Sequence, residues 1–366
     1  MALKVAIVGL PNVGKSTLFN ALTQTAQAQA ANYPFCTIEP NVGDVALPEP
    51  RLDVLARIAS SKEIIPARIN FVDIAGLVRG ASKGEGLGNQ FLANIRDCDA
   101  VAFVARCFID DDVTHVEGRI DPLDDLDTVE TELMLADMES LEKRVVNLEK
   151  RAKSGADKES AKTLSLVKLA LAQLNAGRPA RAAEVSKEDD KAWRMLQLLT
   201  SKPALYVCNV DEASAETGNE LSAKVVERAA RDNAKAVVIS AKIESEIAML
   251  DADERAEFLE TLGLAEPGLN RLIHEAYALL GLQTYFTVGP KEARAWTIPV
   301  GATAPQAAGV IHTDFEKGFI RAETIAYDDY VRLNGETGAR EAGKMRLEGK
   351  EYVVADGDVL HFRFAN

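Results

Sequence analysis

The N-terminal part of this chain is organised around Gly9-Leu10-Pro11-Asn12-Val13-Gly14-Lys15-Ser16-Thr17. This stretch follows an apolar run at 5–8 and precedes a helical pattern at 18–22, so the local order is strand, glycine-rich loop and helix. That order and the spacing G-x-x-x-x-G-K-S are typical of a loop that binds phosphate. The glycines let successive backbone N–H groups point inward, and the helix adds its positive N-terminal end. The stretch therefore predicts a nucleoside-triphosphate site in an α/β domain.

Three side chains of this loop have expected roles. Lys15 is expected to reach the β- and γ-phosphates, where its charge would serve catalysis, and the Ser16 hydroxyl is expected to ligate Mg²⁺. Asn12 would help to coordinate a monovalent cation such as K⁺, or its side chain simply braces the loop.

Length and composition narrow the class of protein. The chain has 366 residues and a net charge of -14, which predicts two or three domains and argues against a general polyanion binder. A local basic face stays open. The cysteines are scattered without metal-ligand spacing and are expected to be reduced: Cys36, Cys98, Cys107 and Cys208. No secretory signal or bilayer-spanning run is visible, so we expect a cytoplasmic protein that contacts no membrane.

Two later motifs complete the predicted magnesium and γ-phosphate site. The strand predicted at 69–73 ends in Asp73-Ile74-Ala75-Gly76, and an aspartate in this position lies beside the phosphate loop. Asp73 would bind Mg²⁺ directly or through water, and the Gly76 N–H would sense the γ-phosphate, which makes it a candidate catalytic group. Thr37, in a loop with two prolines, would give Mg²⁺ a second hydroxyl, or it is an ordinary packed threonine.

The motifs do not provide the usual group that positions the attacking water. Switch GTPases often have glutamine directly after Asp-x-x-Gly, whereas Leu77 occupies that position and its side chain can form no hydrogen bond. We therefore expect slow intrinsic hydrolysis. His115, beyond the third predicted strand, is a candidate catalytic residue, and an ordinary surface histidine is the alternative.

The periodicity of the chain predicts three domains. An α/β pattern in 1–122 resumes at 200–282, which predicts one P-loop domain with a mainly parallel sheet. Between these parts, 123–199 carries apolar stripes at helical spacing, which predicts an inserted antiparallel helical arm, coiled-coil-like but short. The arm is either a solvated structural element or a lever or docking surface. Residues 283–366 predict a small mixed sheet with a helix, including a strand at 352–354.

A loop that reads the base is expected after a later strand, where Asn209-Val210-Asp211-Glu212 stands. The guanine-specific form is Asn-Lys-x-Asp, whose aspartate accepts two hydrogen bonds from guanine. Here Glu212 is one methylene longer and Val210 replaces the lysine, which disfavours guanine by roughly 1.5–3 kcal/mol. Asn209 can still reach N7, which adenine shares. Ser240-Ala241-Lys242 points the other way, because such a loop offers a backbone N–H to guanine O6, but on balance the residues favour ATP.

Taken together, these motifs resemble the YchF proteins, the Obg-like ATPases. The strings that carry the resemblance are Gly-Leu-Pro-Asn-Val-Gly-Lys-Ser-Thr, Asn-Tyr-Pro-Phe-Cys-Thr-Ile-Glu-Pro-Asn, Asp-Ile-Ala-Gly-Leu-Val and Asn-Val-Asp-Glu. The segment 289–323 resembles the C-terminal TGS domain of that family, which implies a ubiquitin-like β-grasp fold for 283–366. The resemblance also implies that Ser16 and Thr37 approach Mg²⁺. It places Asn12 to Thr17 at the phosphates and Asn209 to Glu212 at the base. With the Ser240-Ala241-Lys242 loop included, the predicted nucleotide-binding residues are Asn12, Val13, Gly14, Lys15, Ser16, Thr17, Asn209, Val210, Glu212, Ser240 and Ala241.

The resemblance implies a function as well as a fold. It implies a protein of the translation-factor class that binds and hydrolyses ATP with Mg²⁺, binds the ribosome, particularly the large subunit, and acts in translation or stress adaptation. RNA contacts through the TGS domain and the helical arm, and a monomeric state, are further expectations. Two alternatives stay open: a nucleotide-switched RNA- or ribosome-binding module with incidental turnover, and a GTPase.

Overall fold

The computed structural model describes residues 3–30, 41–74, 87–110, 118–153 and 158–365. Within these ranges the chain forms two compact units. The first contains 3–25, 41–43 and the described residues of 70–276, and the second contains 26–30, 44–69 and 277–365.

The strands form two sheets of six strands each. In chain order they are β1 (Lys4–Val8), β2 (Val42–Ala46), β3 (Glu63–Ile65), β4 (Arg68–Asp73), β5 (Ala100–Arg106), β6 (Ala204–Asn209), β7 (Lys235–Ile239), β8 (Leu282–Val288), β9 (Glu292–Pro299), β10 (Phe319–Ile325), β11 (Arg346–Glu348) and β12 (Val359–Phe364).

The helices lie between the strands, singly or in groups of two or three. They are α1 (Lys15–Ala30), α2 (Pro50–Ala59), α3 (Leu87–Arg96), α4 (Pro122–Lys153), α5 (Lys158–Asn175), α6 (Asp190–Arg194), α7 (Glu220–Arg231), α8 (Ala241–Ile247), α9 (Ala252–Thr261), α10 (Gly268–Leu279), α11 (Ala304–Ile311), α12 (Thr313–Lys317), α13 (Tyr327–Arg332) and α14 (Glu336–Glu341). In the described part of the chain, no helix combines the length and the apolar character that a membrane span requires.

A mainly parallel sheet forms the centre of the first unit. Its strand order is β2-β4-β1-β5-β6-β7, and β1 pairs in parallel with β4 and β5, as β6 does with β5 and β7. β5 and β6 are buried along their whole length, as expected for strands covered on both faces. Because parallel strands end at the same edge, the loops after β1, β4, β6 and β7 meet there, which is where such sheets bind ligands. The α/β fold class is confirmed.

The helical insertion is confirmed and is made by α4 and α5. The two helices pack on each other in an apolar cluster that includes Leu141, Val167, Ala170 and Trp193. A short helix, α6, follows them and ends at Arg194.

Buried carboxylates on α4 fix the insertion to the rest of its unit. Asp137 accepts hydrogen bonds from the backbone N–H groups of Leu199 and Thr200, at 2.9 and 2.8 Å. Glu130 forms ion pairs with Arg181 and, at 2.6 Å, with Arg228 of α7. A buried carboxylate must be paired in this way. These contacts therefore hold α4 against the segment that precedes β6 and against α7.

The second unit is a mixed sheet that packs on a helix, as the strand pattern predicts. Its strand order is β11-β10-β12-β8-β9-β3, with β8 antiparallel to β9 and parallel to β12. Tyr285 of β8 is fully buried against α11, and its hydroxyl donates to the Ala307 carbonyl at 2.9 Å. The strand predicted at 352–354 is wrong, because that segment forms only an isolated bridge from Val353 to Thr303. The pairing of β3 with β9 was not predicted, since it joins residues more than two hundred positions apart.

Candidate nucleotide-binding site

The predicted phosphate loop lies between β1 and α1, and close packing explains its glycines. Gly14 has a φ of +95°, and a Cβ there would lie 2.1 Å from Asn209 Nδ2. A Cβ on Gly9 would lie 2.6 Å from the Val104 carbonyl oxygen. A side chain at either position would displace the loop from neighbouring strands, so both positions require glycine.

Lys15 is the first residue of α1 and is almost fully buried. Its Nζ donates to the Leu10 carbonyl at 2.5 Å, which curls the side chain back over the loop. Burial lowers the pKa of Lys15 to about 8, and attraction to Asp73 opposes that shift. The loop therefore holds a cation that is poorly solvated, which is the condition under which a phosphate group interacts with it most strongly.

Asp73 ends β4, and the sheet register places it opposite Ile7, next to the start of the loop. Its Oδ1 atom is buried and has no hydrogen-bond partner among the described residues. Burial raises the pKa of Asp73, whereas Lys15 lowers it. A buried carboxylate oxygen without a donor is costly unless a cation meets it, and Mg²⁺ prefers carboxylate and hydroxyl oxygens. Asp73 and the exposed Ser16 hydroxyl thus have the chemistry that Mg²⁺ requires.

A cavity of about 440 Å³ brings most of the predicted residues together. It is lined by Asn12, Gly14, Lys15, Ser16, Thr17, Phe108, Ile109, Asp110, Asn209, Val210, Asp211, Glu212, Ser240, Ala241 and Lys242. Val13 is buried behind the wall, where its carbonyl accepts a hydrogen bond from Asn209. In the described part of the chain, no cluster of three or more His, Cys, Asp or Glu side chains could hold a metal by itself.

The side chain of Asn209 joins three loops. Nδ2 donates to the Val13 carbonyl at 2.9 Å, and Oδ1 accepts from the Ala241 backbone N–H at 2.9 Å. The amide is therefore a brace between the phosphate loop and the start of α8. In the Ser240-Ala241-Lys242 loop, from which the sequence suggested a backbone N–H as a donor to guanine O6, the Ala241 N–H is already bonded to Asn209. The predicted contact of Asn209 with N7 of a base stays a prediction, since one of the two Nδ2 hydrogens is used by Val13.

The carboxylate of Glu212 forms an ion pair with Lys242 at one end of the cavity. This contact was not predicted, because Lys242 was read as part of a GTPase-like loop. A hydrogen bond from Lys242 lowers the pKa of Glu212, and the same bond raises the pKa of Lys242. Both shifts favour the charged form of the group.

A second set of wall residues was also missed from the sequence. Phe108, Ile109 and Asp110 line the cavity after β5. Arg106 is 1% exposed and holds this segment: its Nε and Nη2 donate to the carbonyls of Phe108 and Asp110, at 3.3 and 2.9 Å. Its guanidinium also lies 4.6 Å from the Phe108 ring centroid. The sequence contains one signal for this segment, which is the arginine at the end of the otherwise apolar strand β5.

Three predicted site residues lie outside the described ranges. They are Thr37, Gly76 and His115, and Leu77 lies outside as well. Their roles remain predictions.

Comparisons with known proteins agree with this fold. A family model described as a 50S ribosome-binding GTPase matches residues 4–146. A second, for the C-terminal domain of YchF GTPases and described as a protein of unknown function, matches residues 282–365. A protein of Haemophilus influenzae named ribosome-binding ATPase YchF is 60% identical, over 100% of this chain and 99% of its own length. The chain belongs to the YchF family.

Other members of the family extend this result. The ribosome-binding ATPase YchF of Bacillus subtilis is 55% identical, and the alignment covers 100% of both chains. The structure of the Schizosaccharomyces pombe YchF GTPase superimposes with a TM-score of 0.88 at 37% identity, covering 99% of this chain and 97% of that one. The predicted resemblance to YchF and the predicted fold class are both confirmed.

Proposed function

We propose that this YchF-family chain is a Mg²⁺-dependent ATPase that binds ATP in preference to GTP and binds the ribosome through its large subunit. The proposed base preference rests on the part of the cavity wall formed by Val210, Glu212 and Lys242, which we call the base end of the cavity. There Glu212 is paired with Lys242, and Val210 stands where a guanine reader has lysine. The names of the bacterial relatives, ribosome-binding ATPase, support the activity and the partner.

In this proposal the phosphates occupy the loop at 12–17, and Lys15 turns from the Leu10 carbonyl to the β- and γ-phosphates. The Ser16 hydroxyl, Asp73 and Thr37 would hold Mg²⁺, which supplies charge that offsets the phosphate oxygens. The Gly76 N–H would sense the γ-phosphate, and His115 is the candidate for orienting water. Ser240 and Ala241 flank the base with Asn209. Asn12 is the proposed ligand for K⁺.

Two further functions have specific support. Leu77 at the usual glutamine position favours a ribosome-binding module in which nucleotide selects a conformation and turnover is incidental. The family descriptions that say GTPase favour GTP as the substrate. Regulation of translation or of a stress response, and RNA contacts through the TGS domain and helical arm, belong to the proposal. So do a cytoplasmic location, a monomeric state and the domain bounds 1–122 with 200–282, 123–199 and 283–366.

Equilibrium binding tests the base preference. Nucleotide-free protein is titrated with ATP and GTP in Mg²⁺, and a Val210→Lys, Glu212→Asp double variant is titrated beside it. We expect ATP to bind at least about tenfold more tightly, and the variant to shift toward GTP. Equal or tighter binding of GTP by the unaltered chain would show that it is a GTPase in specificity.

Hydrolysis measured with and without purified large subunits tests the activity. We expect slow turnover alone and faster turnover with the subunit. A Lys15→Met variant is the control, because it removes the phosphate-binding charge. Turnover that stays negligible with the subunit, although the subunit binds, would favour the switched module.

A further inference from the structure

The Lys242–Glu212 ion pair connects two loops at the base end of the cavity. Glu212 begins a short 3-10 helix, Glu212–Ser214, that follows β6, and Lys242 lies in the first turn of α8 after β7. We propose that Lys242 determines base specificity together with Glu212, by presenting one donor and one acceptor to adenine and withholding the carboxylate from guanine. This inference rests on the proposed preference for ATP.

The edges of the two bases differ in the order of their donors and acceptors. Guanine places two donors side by side, N1–H and the 2-amino group, and a free carboxylate accepts from both. Adenine places an acceptor, N1, beside a donor, the 6-amino group. An ammonium carries only donors and a carboxylate carries only acceptors. A paired Lys242 and Glu212 therefore match adenine with one group each. Toward guanine, the ammonium would place a donor beside two donors, and it takes part of the capacity of the carboxylate to accept hydrogen bonds.

The backbones beside both residues are anchored by hydrogen bonds. The Asp211 side chain accepts from the Ser214 N–H at 3.0 Å and caps the turn that carries Glu212. The Ala241 N–H is bonded to Asn209, one residue before Lys242. The two side chains thus extend toward each other from positions that their own loops determine.

The charges around the pair favour the ionised forms of both partners. Besides Glu212, the carboxylates of Glu246 and Asp110 raise the pKa of Lys242 through weaker attraction. Asp211 opposes the lowering of the Glu212 pKa without reversing it. Removing Lys242 would leave the Glu212 carboxylate without its cationic partner beside other acidic groups, although its own backbone N–H still donates to it.

The effect is expected in nucleotide binding and not in folding. The Lys242 and Glu212 side chains are 67% and 46% exposed, and ion pairs this exposed add little to stability in water. A bound base would cover the pair and exclude water, which strengthens its interactions with the base edge. We therefore expect the ratio of ATP to GTP affinity to change, at nearly constant melting temperature.

The experiment compares Lys242→Met, Lys242→Arg and Lys235→Met by equilibrium titration with ATP, GTP and ITP. Lys235 is exposed at the opposite end of β7 and serves as the matched control. Lys242→Met should lower the ATP-to-GTP affinity ratio about tenfold, whereas Lys242→Arg should largely preserve it. ITP lacks the 2-amino group, so its affinity should rise less than that of GTP. Combining Lys242→Met with Glu212→Gln should abolish the gain in GTP binding.

The outcomes separate this inference from the proposed function. If the unaltered chain shows no preference for ATP, the proposed function fails. If the unaltered chain prefers ATP and Lys242→Met keeps the same ratio, the preference stands and the role of Lys242 is refuted. Equal weakening of ATP and GTP by Lys242→Met would also refute it, because that result indicates a structural role.

Discussion

The buried charge of Lys15 leads to a quantitative prediction about pH. Its pKa is lowered to about 8 by burial, and the bound phosphates of a nucleotide would raise that pKa again. Binding should therefore take up protons wherever the nucleotide-free protein has lost them. The affinity for ATP should fall as pH rises above about 8, because neutral Lys15 must first be protonated.

The magnitude follows from the position of the pKa. With a pKa of about 8, Lys15 is about nine-tenths charged at pH 7 and about one-tenth charged at pH 9. ATP affinity should fall about tenfold between these pH values, and about half a proton should be taken up per ATP at pH 8. In the nucleotide-free protein, stability changes with pH in the opposite direction: the free energy of unfolding rises as pH rises. The unfolded chain binds more protons between pH 8 and 10.5, so the Lys15 contribution stabilises the fold by up to about 3 kcal/mol as pH rises through that window.

Titration calorimetry at pH 8 in two buffers of different ionisation enthalpy measures the proton uptake directly. Saturating Mg²⁺ keeps the nucleotide from titrating in the same range. Lys15→Arg is the control, because its guanidinium keeps its charge throughout and its remaining affinity should not depend on pH. Flat affinity from pH 7 to pH 9, with no proton uptake, would refute the argument that burial weakens the charge of Lys15.

Three further predictions concern the walls of the site and the start of the insertion. Gly14→Ala places a Cβ 2.1 Å from Asn209 Nδ2 and should weaken ATP binding at least about tenfold. Calorimetry measures the affinity, and an unchanged circular dichroism spectrum shows that the fold is kept. Unaltered affinity would contradict the role of Asn209 as a brace of the phosphate loop. Arg106→Met should lower the free energy of unfolding in urea by about 2–4 kcal/mol, since two carbonyls lose a buried charged donor. Glu130→Gln should cost about 3–5 kcal/mol by the same assay, because it leaves two arginines without their buried anion, whereas exposed Glu139→Gln on the same helix should cost under about 0.5 kcal/mol. Equal costs for the two glutamate variants would refute the anchoring role of Glu130.

Local chemistry explains which features the sequence predicts well. The strand, glycine loop and helix at 4–30 need only neighbouring residues, so their pattern is visible in the chain itself. The same holds for the strand predicted at 69–73, which lies within β4. The segment at 352–354 has the composition of a strand but lacks a neighbour to pair with, and composition does not reveal that.

Long-range partners explain what the sequence does not predict. β3 is short, and its position in the sheet depends on pairing with β9, which lies far along the chain. Arg106 is recognisable as a charge at a strand end, but its two carbonyl partners depend on the turn that follows. Side-chain pairs between separate loops have no local pattern at all.

The base end of the cavity shows why this matters for function. In the sequence, Glu212 argued for ATP and the Ser240-Ala241-Lys242 loop argued for GTP, as two independent observations. In the structure they are one arrangement, because Asn209 accepts from the Ala241 N–H and Lys242 is paired with the Glu212 carboxylate. Under the proposed function, both contacts engage groups that would otherwise serve guanine, and the exposed ammonium would add a donor suited to adenine N1. The loop that looked typical of a GTPase is therefore compatible with the proposed preference for ATP.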